Sequence, residues 1–418
     1  MEIRTVTSPG GIEAWLIEDS TVPTFALRYA FEGGSSQDPV GKEGLANFVN
    51  LMLQQGPGGT GVAFQRRVEE LAIRLEFTLS FDAATGSVEA LSETWSEVAD
   101  LISLALTRPG FEEEAVERVR RRFVSFHGGE ARTPDIVASR QWNAVAFAGH
   151  AYARSLSGSE TSINRITSGD IRSYWKRVFA KDRLKIVAVG DISADELGRF
   201  VDRVFGDLPA HGDLVKLSRV DPVTGGRLRV AEMELPQSLV SFGMGAAPYD
   251  GPDYIPATIL NQILGGGASS RLTKELRQKR GLVASVQTWL ERRRHAAILR
   301  GRLATRNEMV GQSLEVLRQE MQKMADGHLT QAELDNAQEY FIDSYPLASG
   351  SRSEAAARLL DLAMSGLGPG FIERRAHLIA AVTLDDLKRV AKSMLNPENL
   401  IISIAGTPAF QPRPTDGQ

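Results

Sequence analysis

With 418 residues, 42% of them hydrophobic, the chain is long and apolar enough for two domains with a core each, and it lacks the composition of a disordered protein. Its 48 basic and 52 acidic residues leave a formal charge of −4, so it lacks the cationic excess of a nucleic-acid binder. The absence of cysteine excludes disulfides, iron–sulfur clusters and thiolate zinc sites, and fits either a reducing cytoplasm or a thiol-poor periplasm. No apolar run has the length of a membrane span.

Glu13 to Ile17 and Thr24 to Phe31 are apolar segments bounded by glycine, serine and proline, which predicts two strands joined by turns. Gly44 to Gly56 reads as a buried helix. Leu45, Phe48, Val49, Met52 and Leu53 recur at i, i+3, i+4, i+7 and i+8, and Gly56 is suited to end it. Asn47, Asn50 and Leu51 fall on a neighbouring face at i, i+3 and i+4, where three side chains can converge. That is the spacing of a metal site without the residues of one. Val62 to Arg74 is helical by period, Leu75 to Phe81 and Gly86 to Leu91 read as paired strands, and Ser92 to Thr107 as a helix with Ser92 at its N-cap. Phe111 to Phe126 is amphipathic, with its acids first and its arginines after, the order the helix dipole favours.

The second half repeats the first. Ile166 to Gly190 aligns without a gap with Val382 to Gly406 at a constant offset of 216 residues, each copy reading as a Thr-capped helix, a polar turn and a buried strand ending in glycine. Two homologous domains follow, 1–215 and 227–418, joined at 216–226 by a stretch whose surroundings are rich in Pro, Gly and Asp. In the second domain, strands are expected at Leu228 to Met233, Leu239 to Gly245, Val286 to Glu291 and Ala297 to Leu303. Helices are expected at Ile255 to Leu264, Ser270 to Lys279, Asn307 to Asp326, Thr330 to Ser344, Arg352 to Ser365 and Leu384 to Ser393. Paired strands separated by groups of helices predict an α+β fold, two domains each with a mostly antiparallel sheet and helices packed on one face. The six histidines include no pair at i, i+4, which argues against a His-based metal site on one helix. Glu291 to His295, between two strands, reads as a solvated basic hairpin turn.

Gly44-Leu-Ala-Asn47-Phe-Val-Asn50-Leu51-Met-Leu53 resembles the active-site helix of the pitrilysin/insulinase family of inverted zinc peptidases, Gly-Leu-Ala-His-x-x-Glu-His-Met-Leu. On that resemblance Asn47 and Leu51 stand at the positions of the two zinc-binding histidines and Asn50 at that of the glutamate base. Val119, in Glu117-Arg-Val-Arg120, stands at the third ligand, with Glu117 the alternative. An amide is a weak zinc ligand, leucine and valine are none, and none of them takes a proton from water near neutral pH, so no metal, cofactor or catalytic residue is expected.

Leu264-Gly-Gly-Gly-Ala-Ser-Ser-Arg-Leu272 and Leu276-Arg277-Gln-Lys-Arg-Gly281-Leu-Val-Ala284 are similar to the same family's second-domain signature, so the resemblance covers essentially the whole chain and implies the metallopeptidase/LuxS-like fold. Family members use an Arg and a Tyr seven residues apart there to hold the substrate backbone. Arg277 matches the Arg and Ala284 replaces the Tyr, so substrate binding is expected at Arg277 with Gly265, Gly266 and Gly267. His150, in Gly-His-Ala-Tyr152, matches a segment that is structural in the family and is expected to anchor a loop. The resemblance implies a non-catalytic subunit that forms a heterodimer with a zinc-bearing homologue and binds extended peptides, with homodimerisation when that partner is absent. The rival expectations are a peptide-binding scaffold without a role in proteolysis and an active peptidase with an atypical site. The expected compartment is the periplasm, with a signal segment trimmed from the sequence.

Overall fold

The computed structural model describes residues 2–56, 61–130, 132–343 and 350–410. The strands in chain order are β1 Arg4–Thr7, β2 Glu13–Glu18, β3 Thr24–Glu32, β4 Arg74–Leu79, β5 Ala83–Leu91, β6 Leu184–Gly190, β7 Arg227–Glu232, β8 Gln237–Gly245, β9 Val283–Arg293, β10 Ala296–Arg306 and β11 Ile401–Gly406. The helices are α1 Leu45–Gln54, α2 Val62–Glu70, α3 Trp95–Thr107, α4 Glu113–Glu130, α5 Pro134–Ala146, α6 Glu160–Asn164, α7 Ser168–Val178 and α8 Ala194–Phe205. They continue with α9 Tyr254–Leu264, α10 Val310–Ala325, α11 Gln331–Asp343, α12 Arg352–Met364, α13 Phe371–Ala380 and α14 Leu384–Met394.

The strands form two sheets of the same topology. The first runs β1-β2-β6-β3-β5-β4 and the second β7-β11-β8-β10-β9, so apart from the additional β1 each strand of the first has its counterpart in the second. The hands agree as well: β2 with β6 and β7 with β11 are the parallel pairs, and the remaining pairs are antiparallel. Details of packing repeat too. Gly86 faces Tyr29 across β5 and β3, Gly301 faces Phe242 across β10 and β8, and a Cβ on either glycine would lie 2.1–2.2 Å from the opposed ring. Thr167 and Asp170 cap α7 reciprocally, and Thr383 and Asp386 do the same for α14, 216 residues on. The α+β class and the duplication expected from the sequence are both present.

By packing, the chain divides into two compact units whose limits differ from the contiguous division 1–215 and 227–418. The first comprises Met1–His127, Ser155–Lys216 and Pro346–Phe371, and the second Gly128–Arg154, Leu217–Tyr345 and Ile372–Gln418. The halves of the sequence have exchanged a helix. α5, from the first half, packs on β11 and β8, while α12, from the second half, packs on β6 and β3, the equivalent strands. The cause lies in the central strands. Every residue of β11 is buried, and every residue of β6 except Lys185, so each sheet needs apolar cover on both faces. The larger core cluster and its helices lie on one face of each sheet, and the exchanged helix adds cover to the central strands on the other.

Polar contacts fasten the exchanged helices. The Arg352 guanidinium at the start of α12 donates to the carbonyls of Val22, Thr24 and Asp19 and to the Asp19 carboxylate (3.1 Å), and Arg28 of β3 donates to Ser353 Oγ (3.2 Å). On α5, Trp142 is fully buried, donates its Nε1–H to the Ile401 carbonyl (3.0 Å), and stacks on the Arg300 guanidinium, 3.7 Å from its ring centroid. Arg293 donates to Asn143 Oδ1 (2.8 Å) and pairs with Glu291 at 2.6 Å. The expected solvated turn at Glu291 to His295 is therefore the end of a strand with a buried arginine, because α5 lies over it; only Arg294 and His295 form the turn.

Smaller departures have local causes. The helix expected over Val62 to Arg74 stops at Glu70, and Ala72 takes a positive φ of 50° before β4 begins. Ser92 does not cap α3; its hydroxyl donates to the Asp191 carbonyl (2.6 Å), and a short 3-10 turn precedes Trp95. Within Ser270 to Lys279, Thr273–Lys279 is a π-helix. Ser344, the expected end of its helix, lies outside the described residues.

Candidate functional site

The first site region is α1. Its predicted apolar residues Leu45, Phe48, Val49, Met52 and Leu53 are all at most 1% exposed. The helix starts where it does because the buried Asp38 carboxylate accepts from the backbone N–H groups of Gly44 and Ala46, both at 2.8 Å, satisfying donors that have no intrahelical partner. Gly44 is held at φ 92°, and a Cβ there would meet the Ser157 carbonyl at 2.7 Å.

The substituted positions are built into this packing. Asn50 is buried and donates through Nδ2 to the Phe77 carbonyl of β4 (3.2 Å), as Gln54 does one turn later (3.1 Å). Leu51 packs half-buried against the core, and Asn47 is half-buried beside it. Val119 is 5% exposed in the same core, with α4 held to α1 by a Phe48–Phe123 edge contact and by Arg120 over the Phe48 ring. Glu117, the alternative third ligand, is 43% exposed and pairs with Arg120 at 2.9 Å. These residues do not fit zinc: no imidazole or carboxylate stands at the three motif positions, and no group of three His, Cys, Asp or Glu among the described residues could hold a metal ion.

The second region is a cleft of about 490 Å³ in the second unit, and it brings together the binding residues named from the sequence. Gly265, Gly266, Gly267 and Arg277 all line it. The glycines have a packing reason as well. A Cβ on Gly265 would strike Thr288 Oγ1 at 2.5 Å, and the Gly265 carbonyl accepts from the Thr288 N–H (2.9 Å), so this loop is stitched to edge strand β9. Arg277, on the π-helix, is exposed, and no side-chain hydrogen bond or ion pair joins it to another described residue. Ala284 sits exposed on β9 and leaves no phenol there. Two further lining residues, Arg302 and Asp135, escaped the sequence reading. Strand alternation could have flagged Arg302, whereas Asp135 rides on the exchanged helix and had no local signal. His150 anchors a loop as expected: its Nδ1 accepts from the Tyr152 N–H (3.2 Å), and the buried Tyr152 hydroxyl accepts from the His295 N–H (3.1 Å). No described helix is long and apolar enough to cross a membrane.

Comparison with known proteins agrees with this geometry. The profile for insulinase (peptidase family M16) matches residues 14–160, and that for the peptidase M16 inactive domain matches residues 165–341. A Helicobacter pylori protein named non-peptidase homolog YmxG is 24% identical over 392 residues, covering 93% of this chain and 90% of that one. The beta subunit of the mitochondrial-processing peptidase of Lentinula edodes is 23% identical over 393 residues, covering 90% and 84%. Among solved structures, a peptidase M16 inactive domain from Pseudomonas fluorescens superposes with a TM-score of 0.89 at 24% identity, over 99% of this chain and 100% of that one. The chain thus belongs to the insulinase (M16) peptidase family, as a non-catalytic member whose motif positions carry no zinc ligand.

Proposed function

We propose that this protein is the non-catalytic subunit of a two-chain peptidase, pairing with a zinc-bearing homologue and contributing a surface that binds extended peptides. The observation that carries this reading is the contrast between a fold kept in both halves and motif positions, Asn47, Asn50, Leu51 and Val119, given over to packing and to hydrogen bonding with β4. Arg277 and the Gly265 to Gly267 loop are its proposed peptide-binding elements, since they meet in one cleft beside an edge strand. The similarity to a peptidase beta subunit supports pairing with a second chain. For the compartment we propose the periplasm, with which a cysteine-free chain is compatible.

The test is a cleavage assay on an unstructured peptide with the zinc-bearing homologue, with and without this chain, together with elemental analysis of the chain. We expect no stoichiometric zinc, no cleavage by the chain by itself, and faster cleavage by the mixture. If the mixture cuts no faster than the homologue, the subunit reading fails. The reading that then replaces it is a peptide-binding scaffold without a part in proteolysis, which the loss of the phenol at Ala284 favours.

A further inference from the structure

Alternation along β10 places Arg300 and Arg302 on the same face of the second sheet, about 7 Å apart, and their surroundings differ sharply. Arg300 is 2% exposed under Trp142, with its Nη2 donating to Ser139 Oγ (2.9 Å). Arg302, two residues on, lies beyond that cover, exposed in the cleft beside its cross-strand neighbours Ser241 and Gln287. No side-chain hydrogen bond or ion pair joins Arg302 to another described residue, and the same holds for Arg277 across the cleft. Asp135 is the acidic residue among those lining it, and it forms no ion pair with either arginine. Under α5, on the same face of the sheet, Arg293 and Arg300 share the Glu291 carboxylate, two cations to one anion. Cationic groups therefore outnumber acidic ones in the cleft.

We propose that the cleft is a carboxylate-recognition site in which Arg302, together with Arg277, gives the peptide-binding surface a preference for extended segments bearing an acidic side chain or a free C-terminal carboxylate. A guanidinium presents paired N–H donors in one plane, which suits a carboxylate's two oxygens, and an arginine without an internal partner is free to make that pair. Ser285, Gln287 and the glycine-loop backbone supply neutral hydrogen-bonding groups for the rest of the segment. The proposal rests on the peptide-binding reading above and adds selectivity to it.

The test uses the full chain and fluorescence anisotropy with an uncharged fluorophore on a short unstructured peptide of Ala, Thr and Glu. Its twin carries Gln for Glu, and each is made with a free and an amidated C-terminus. The Glu peptide should bind about tenfold tighter than the amidated Gln twin at low salt, with the difference shrinking as salt is raised. Arg302→Gln should erase the difference by weakening the Glu peptide far more than the amidated Gln twin, and Arg302→Lys should keep part of it. Arg277→Gln should weaken every peptide. A preference that follows the free terminus instead of the glutamates would identify the terminal carboxylate as the source. Equal affinity for the Glu peptide and the amidated Gln twin, or a preference that survives Arg302→Gln, overturns the selectivity and leaves peptide binding standing. Failure to bind any of the four peptides overturns both.

Discussion

Asn50 shows how far the old metal position has been absorbed into the scaffold. Its Nδ2 and the Gln54 Nε2 donate to the same Phe77 carbonyl, engaging both lone pairs on a strand at the edge of the sheet. A carboxylate there would set charge against a carbonyl oxygen in a buried place. Asn50→Glu should therefore lower stability by about 2–4 kcal/mol at neutral pH, read from urea unfolding midpoints. By the same logic Asn47→His, Asn50→Glu and Leu51→His combined should not create a zinc site, because Val119 leaves the third position apolar and packed. Isothermal titration with zinc checks this, and tight stoichiometric binding by the triple variant would show that the third ligand had been assigned to the wrong residue.

The strongest features at the scale of elements are those that occur twice. Tyr29 over Gly86 and Phe242 over Gly301 fill the space a side chain would need, so Gly86→Ala and Gly301→Ala should each cost at least about 1–3 kcal/mol, with the loss seen in both halves by thermal unfolding. The paired capping boxes carry a pH signature. The Thr383 hydroxyl and backbone N–H hold the Asp386 carboxyl below its ordinary value of 3.8; at Asp170 burial pushes up, but hydrogen bonds from Lys42 and Thr167 outweigh it. Both folded values are depressed, so their stabilisation is full above about pH 4 and is lost as pH falls through the folded values. Asp386→Ala should cost about 1 kcal/mol at neutral pH, and the gap from the parent protein should close in acid. A gap independent of pH would separate the cap from the ionisation.

For the molecule as a whole the reciprocal helix exchange matters most. A fragment of residues 1–215 would carry α5 without β8 and β11 to pack on, and would leave the outer face of β3 and β6 without α12. Such a fragment should be aggregation-prone and bind hydrophobic dyes, although it contains every strand of the first sheet. The reverse defect is available by point mutation: Trp142→Ala, on the first half of the sequence, should destabilise the second unit by about 3–5 kcal/mol, followed by hydrogen exchange in β8 and β11. A well-folded 1–215 fragment would show that α12 is dispensable cover.

Local chemistry was enough to read much of this protein from its sequence. The period of α1, the turn glycines and the Thr caps depend on residues near one another in the chain, and the 216-residue repeat is a comparison of the sequence with itself. The α+β class and the duplication were therefore visible in the sequence, while the replaced zinc motif was read from the family resemblance. Arg277 and Gly265 to Gly267 were named together from the resemblance to the family's second-domain signature, and they line one cleft. Partners distant in sequence were not legible. Which helix covers which sheet depends on which apolar face is left open after each sheet forms, so α5 and Asp135 gave no local hint of belonging with the second sheet. The buried Arg293, placed by the sequence on a solvated turn, and the exposed Arg302 are separated by the same cause: α5 covers one and stops short of the other, and only the tertiary structure sets where that cover ends.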